Sequence, residues 1–456
     1  MSAADGPGKI APGAPLEESA PSLVARASAW LRSRGAGAAV VRNVGWLFLD
    51  QLVRMAVAMF VGAWLARYLG PARYGSLSFA VAFTSLFAPL AALGLDSILV
   101  RELIGSPARA GETLGTSFVL RLAGGAGAAV AAAATVSALH PGEPGLRIMV
   151  CIAAAALLLQ PFDGIDLWFQ SEVRSRSVVL AKATSFLLAS ALRIFLIWTA
   201  ASVVAFVWAG LFEAAASAAG LLLVYGLTRL RSWKPSAARA VELLRDSWPL
   251  MFSGIVIMIY MRIDQVMLGQ MVGVEEVGIY SAAVRLSEVW FFIPMAVYAS
   301  WSPGIIEARK TSEVLFLRKL QELYNAMALL AYAVAIPATL VAGPVVRLLF
   351  GRGYERAAPM LVALVWSGLF TNLGIARSAF LMTMNWTRTH LFTVALGGAV
   401  NIGLNLFLIP RWGGMGAAIA SLVAYWLAAH GVCFLYPPLF RTGRMLTRAI
   451  LFPKAW

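Results

Sequence analysis

Twelve runs of about twenty apolar residues, each closed by charge, Pro or Gly, recur along this chain and restrict its fold more than any other feature. They lie near 43–69, 75–100, 113–138, 146–162, 177–199, 203–228, 248–271, 279–303, 320–343, 358–384, 389–409 and 414–437. A hydrocarbon interior offers the backbone no water, so runs of this length must be helical, and the alternating pattern of a membrane barrel is absent. The expectation is an all-α polytopic membrane protein of twelve transmembrane helices in two six-helix bundles around a central cavity. Composition agrees: 13% of residues are charged, about half the share of a soluble domain.

The net charge of +15 could mark a nucleic-acid binder. The basic residues, however, gather in short connections on the side that holds both termini, which the positive-inside rule makes the cytoplasm. An inner face set against anionic membrane lipids is implied, with no nucleic-acid partner. Residues 1–41, rich in Ala, Gly and Pro, read as a disordered or amphipathic cytoplasmic tail. An N-terminal six-helix half (42–228), a basic cytoplasmic linker (229–247), a C-terminal six-helix half (248–440) and a cytoplasmic tail (441–456) follow. An internal echo supports the two halves: a Gly70 to Gly75 turn joins spans one and two, and a Gly273 to Gly278 turn joins spans seven and eight. Transporters built from such repeats bind substrate between the halves and rock them to alternate access.

Six arginines, Arg54, Arg121, Arg193, Arg262, Arg285 and Arg377, fall inside the apolar runs. Facing lipid, each would cost roughly 2.5–3.5 kcal/mol, so they should face a wet interior, where a guanidinium binds phosphate bidentately and keeps its charge. Arg121 and Arg193 have no acid close in sequence. Asp50 pairs with Arg54, and Glu288 with Arg285, at one-turn spacing. Asp50, Asp264 and Glu288 are candidate coupling sites for a proton or sodium ion, or else structural partners of the arginines. Arg262 and Asp264 point about 200° apart on a helix, so both cannot face one cavity. Asn401 and Asn405, among glycines, read as a helix-packing stripe, and Pro89, Pro294 and Pro337 should bend spans two, eight and nine. Two scattered cysteines and three scattered histidines suggest neither a disulfide framework nor a metal site. No catalytic or nucleotide-binding motif is visible, so neither an enzyme nor a bound cofactor is expected.

Four segments carry a family resemblance. One is Asn43 to Leu52 with Ala66 to Gly75 and Gly94 to Leu103; the second is Asp264 to Gly269 with Val277 to Ala283. The third is Phe350 to Tyr354, and the fourth Asn401 to Ala418. In order along nearly the whole chain they resemble Wzx-type oligosaccharide flippases, in the polysaccharide transport branch of the multidrug/oligosaccharidyl-lipid/polysaccharide exporter superfamily. The resemblance implies translocation of an undecaprenyl-pyrophosphate-linked oligosaccharide across the bacterial inner membrane for O-antigen, capsule or exopolysaccharide assembly. It also implies a basic central cavity, a gradient of protons or sodium as the driving force, and polysaccharide polymerase machinery as a partner. A monomer is expected. The alternatives within the superfamily are a drug/cation antiporter of the multidrug and toxin extrusion (MATE) type and a lipid II flippase.

Overall fold

The computed structural model describes the backbone of residues 23–172, 174, 176–227 and 233–453, and their side chains apart from those of 23–50 and Leu52. The readings made for residues 1–22 and 228–232, and for the side chain of Asp50, lie outside these described residues. The chain divides into two units, 1–55 and 56–456. The described part of the first is helical and belongs to α1 (Leu23–Ser85).

In the second unit α1 leaves helical geometry at Gly70, where φ is 71°. An N-terminal set continues with α2 (Ala88–Ala92), α3 (Leu95–Gly105), α4 (Ala110–Leu139), α5 (Pro144–Ala155), α6 (Asp163–Ser171), α7 (Arg176–Trp198) and α8 (Val203–Leu227). A C-terminal set comprises α9 (Ala237–Met271), α10 (Val274–Glu288), α11 (Phe292–Thr311), α12 (Glu313–Phe350), α13 (Ala357–Thr383), α14 (Thr387–Trp426), α15 (Val432–Leu435) and α16 (Phe440–Leu451). Among the described residues, ten stretches are long and apolar enough to cross a membrane, two fewer than the sequence reading. Two of the ten contain a non-helical glycine, Gly70 or Gly413, where spans one and two, and eleven and twelve, were expected to part. At Gly413 the chain turns back on itself: the Gly416 backbone packs against the Leu408 carbonyl, which a straight helix would hold about 12 Å away.

Several boundaries differ from the sequence reading, among them the expected span 75–100, which breaks between Ser85 and Ala88 and between Ala92 and Leu95. The run ending at 162 continues through a 3-10 segment, Ala156–Phe162, into α6, because Asp163 and Asp166, which look like a stop, are both paired with Lys182 on α7. The expected span 279–303 breaks between Glu288 and Phe292, placing Pro294 in the first turn of α11, where a missing N–H costs little. By contrast α12 continues through Pro337 without a break. The expected C-terminal tail forms α16, which packs on α12 through Tyr332, whose hydroxyl donates to the Ile450 carbonyl at 2.8 Å.

Within the N-terminal set α7 pairs with α8, α3 lies on α6, and α4 packs against α2 and α5; within the C-terminal set α13 lies between α12 and α14. Helix α9 touches both sets, meeting α2, α3 and α4 as well as α10 and α14. Its first turns are tied to the N-terminal set. Ser236 caps the helix by accepting from the Arg239 N–H, while the Ser236 N–H donates to Thr116 Oγ1 at 3.0 Å. Arg239 bridges Glu102 at 2.6 Å and Glu242 at 2.7 Å, and Arg101 pairs with Asp246.

Candidate functional site

The two glycine turns identified in the sequence meet each other in space. Gly75 lies against the Val274 carbonyl and Gly278 against the Pro71 carbonyl, leaving no room for a Cβ at either position. Tyr354 reinforces this seal from the α12–α13 connection: its hydroxyl donates to the Ala66 carbonyl at 2.7 Å, and its ring meets Tyr74 edge-on at 6.2 Å. Burial pushes the Tyr354 phenol above its ordinary value, so it stays a donor. Arg285 reaches from α10 to α1 beside the seal. Its Nη2 donates to the Ala58 carbonyl at 3.0 Å and its Nη1 to Tyr74 Oη at 3.3 Å, and the guanidinium fills the notch left by Gly62. No carboxylate pairs with it among the described residues.

The other expected arginines are not gathered around one space. Arg121 has an acid after all: its Nη2 meets Asp96 Oδ1 at 2.7 Å. Arg193, which has no acid nearby in sequence, pairs with Glu213 on α8 at 2.6 Å. Glu288 does not pair with Arg285 one turn away; it pairs with Arg262 on the neighbouring helix at 3.2 Å, because α10 ends at Glu288 and its carboxylate turns toward α9. Arg377 is sealed inside the C-terminal set at 2% exposure, donating to Thr393 Oγ1 at 2.8 Å and the Ala429 carbonyl at 3.1 Å. That carbonyl belongs to a π-helical turn, Leu427–Gly431, a geometry that shifts the regular helical pairing and frees acceptors for side chains. Arg54 lies in the first unit and is half-buried.

The pairs differ in exposure: Arg121 is 2% exposed against 65% for Asp96, whereas Lys182, at 30%, lies between Asp163 at 49% and Asp166 at 17%. Sequence reasoning missed Asp96, Asp163, Asp166 and Lys182. The lysine inside the fifth run was the visible signal that an acid had to lie opposite, on the fourth.

Asp264 is buried and accepts from Tyr280 Oη at 2.9 Å, Asn405 Nδ2 at 2.6 Å and the Ser421 hydroxyl. Asn401 accepts in turn from Asn405 at 3.1 Å. The asparagines read as a packing stripe therefore converge on a carboxylate that no cation neutralises among the described residues. Such a group is costly unless it is protonated or takes up a cation.

The chain matches the family described as polysaccharide biosynthesis protein over residues 40–303, more than half of its length. It is 26% identical over 269 residues to the protein named Probable flippase AglR of Haloferax volcanii; the match covers 57% of this chain and 55% of that protein. This chain thus spans about half the length of the relative it matches. Among solved structures, the lipid II flippase MurJ in an inward closed conformation is similar with a TM-score of 0.66 at 12% identity, over 90% of this chain and 91% of that one. An inward-facing multidrug resistance MATE family transporter of the MOP superfamily is similar with a TM-score of 0.63 at 18% identity, over 87% and 95%. At these identities the likeness is one of fold, and the fold is the bundle of that superfamily. On the extent of the family match, the chain belongs to the polysaccharide biosynthesis protein family.

Proposed function

We propose that this protein is a Wzx-type flippase, carrying an undecaprenyl-pyrophosphate-linked oligosaccharide from the inner to the outer leaflet of a bacterial cytoplasmic membrane by alternating access. The observation that carries this reading is Arg285. A guanidinium within an apolar stretch is costly without an anion, and both acceptors it uses are neutral, so its charge remains available to a phosphate. Arg262, about as exposed as its partner Glu288, is the second contact, exchanging that carboxylate for the headgroup. Arg121, Arg193 and Arg377 become structural in this reading. The tight seal around Gly75 and Gly278 is the outer gate. Asp264 is the coupling carboxylate for a proton or sodium ion, with Glu288 and Asp50 as the alternatives. The exported unit passes to polysaccharide polymerase machinery, and a lipid II carrier would be the same chemistry with another sugar.

The exposed carboxylates Asp96 and Asp163 favour a second reading, a MATE-type antiporter that draws cations to acidic groups. Reconstituted protein separates the two. A flippase moves a fluorescent undecaprenyl-pyrophosphate sugar, and Arg285→Gln slows that movement about tenfold or more at unchanged folded yield. Full activity in Arg285→Gln, or pH-driven efflux of a lipophilic cation that Asp96→Asn abolishes, overturns the flippase reading.

A further inference from the structure

Helix α16, which the sequence reading left within a cytoplasmic tail, carries three arginines and no acid. It packs on the C-terminal set through Thr442, Gly443, Leu446 and Ala449, all buried. The opposite face, an arc of about 100° at 3.6 residues per turn, presents Arg441, Arg444 and Arg448 interleaved with Phe440 and Leu451, all exposed. Phe452, just beyond the helix, is exposed as well. Large apolar side chains mixed with arginines suit neither open water nor hydrocarbon; they suit the boundary between the two. Contacts with α12 fix how α16 lies at that boundary. Arg441 pairs with Glu313 at 2.9 Å, Gln321 Nε2 donates to the Met445 carbonyl at 3.1 Å, and Tyr332 Oη donates to the Ile450 carbonyl at 2.8 Å. The helix therefore starts beside the charged first turns of α12 and ends beside its apolar stretch, with Leu451 and Phe452 at the apolar end.

Charge at this edge of the molecule is unbalanced. The three carboxylates between Gly304 and Asn325 are each matched: Glu307 by Lys310, Glu313 by Arg441 and Glu322 by Arg318. Arg309, Lys319, Arg444 and Arg448 have no carboxylate among the described residues. Arg444 lies over the Phe440 ring at 4.7 Å, a contact with the ring face that leaves its N–H groups free to donate. We propose that the exposed face of α16 binds an anionic phospholipid of the adjoining leaflet, with the phosphate on Arg444 and Arg448 and an acyl chain along Leu451 and Phe452. A guanidinium grips a phosphate through paired N–H groups, and juxtamembrane cations are drawn to anionic lipid. A zwitterionic headgroup would bring its own ammonium against them. This lipid belongs to the bilayer and is not the cargo, so the inference goes beyond the flippase reading and holds whatever is carried.

The test follows Tm of the full chain in a neutral detergent as phosphatidylglycerol, phosphatidylcholine or inorganic phosphate is added. Phosphatidylglycerol near saturation should raise Tm of the native protein by about 4 °C, and the other two by less than about 1 °C. Arg444→Gln with Arg448→Gln should lose most of that rise, whereas Arg444→Lys with Arg448→Lys, which keeps the charge, should retain more than half of it. An undiminished rise in the Gln variant, or an equal rise with phosphatidylcholine, overturns the proposal. So does a full rise with inorganic phosphate, which would mean that a free anion suffices and no acyl chain is held. Should the Gln variant prove less stable before any lipid is added, the Lys variant decides: loss of the rise there would show that the packing of α16, and not its charge, sets the response.

Discussion

At the scale of single residues, intramembrane charge was legible in the sequence and its compensation was not. Arg121 and Arg193 were visible as costly, yet Asp96 is 25 residues from Arg121 and Glu213 is 20 from Arg193, so no local spacing rule connects them. Only helices laid side by side bring each pair within reach. Removing one partner exposes the asymmetry, because Arg121 is almost fully buried and loses its one carboxylate. Asp96→Asn should destabilise the protein by roughly 2 kcal/mol, less than the 3–5 kcal/mol of a fully buried pair because Asp96 itself is exposed. A lowered Tm in detergent, restored when Arg121→Leu is added, is the expected result; an unchanged Tm for Asp96→Asn would show that water already compensates Arg121. Asp264 gives the opposite prediction. Asp264→Asn replaces a titratable group that neutral donors surround by a neutral one, so the protein should fold at normal yield while flipping loses its dependence on an imposed pH or sodium gradient. Dependence retained in full would exclude Asp264 as the coupling group.

At the scale of elements, the apolar runs located most helices, and the errors fell where charge or proline had to be interpreted. Asp163 ended a run in sequence because an unpaired acid would; Lys182 lets the helix continue. Pro294 lies at a break, whereas α12 runs on through Pro337, since both are compatible with a membrane helix once neighbours supply the lost contacts, and sequence does not name the neighbours. Helix α9 shows what its length alone does not: one end is held by Glu102 and Thr113 of the N-terminal set, and the other by Asn405 and Ser421 of the C-terminal set through Asp264. A helix fastened to both sets must bend if they rock, and Pro249, which lacks an N–H for the helical ladder, lies between the two fastenings. Pro249→Ala should therefore raise Tm while slowing flipping severalfold. Faster flipping, or a lower Tm, would show that α9 moves as one rigid body with a single set.

At the scale of the whole molecule, the resemblance named the family and the echo of Gly70–Gly75 in Gly273–Gly278 located the seal, but the distribution of charge was legible only in part. Six arginines suggested one cationic vestibule; in the second unit three are matched by carboxylates, one is enclosed, and Arg285 stands beside the seal. On the proposed reading, so little free charge would not hold a cargo tightly throughout a transport cycle, which suits a carrier that must also release it. Such a carrier depends on the seal opening. Tyr74 and Tyr354 face each other across it with ring centroids 6.2 Å apart, and the native thiols are an exposed Cys151 and a buried Cys433. In a Cys151→Ser, Cys433→Ala background, Tyr74→Cys with Tyr354→Cys should be joined by a short cleavable bifunctional thiol reagent. Flipping of the undecaprenyl probe should stop on joining and recover on cleavage, while each single substitution treated alike keeps its activity. Unimpeded flipping with the two positions joined would mean that cargo leaves by a route that never parts α1 from the α12–α13 connection, and the alternating-access reading would then have to be given up.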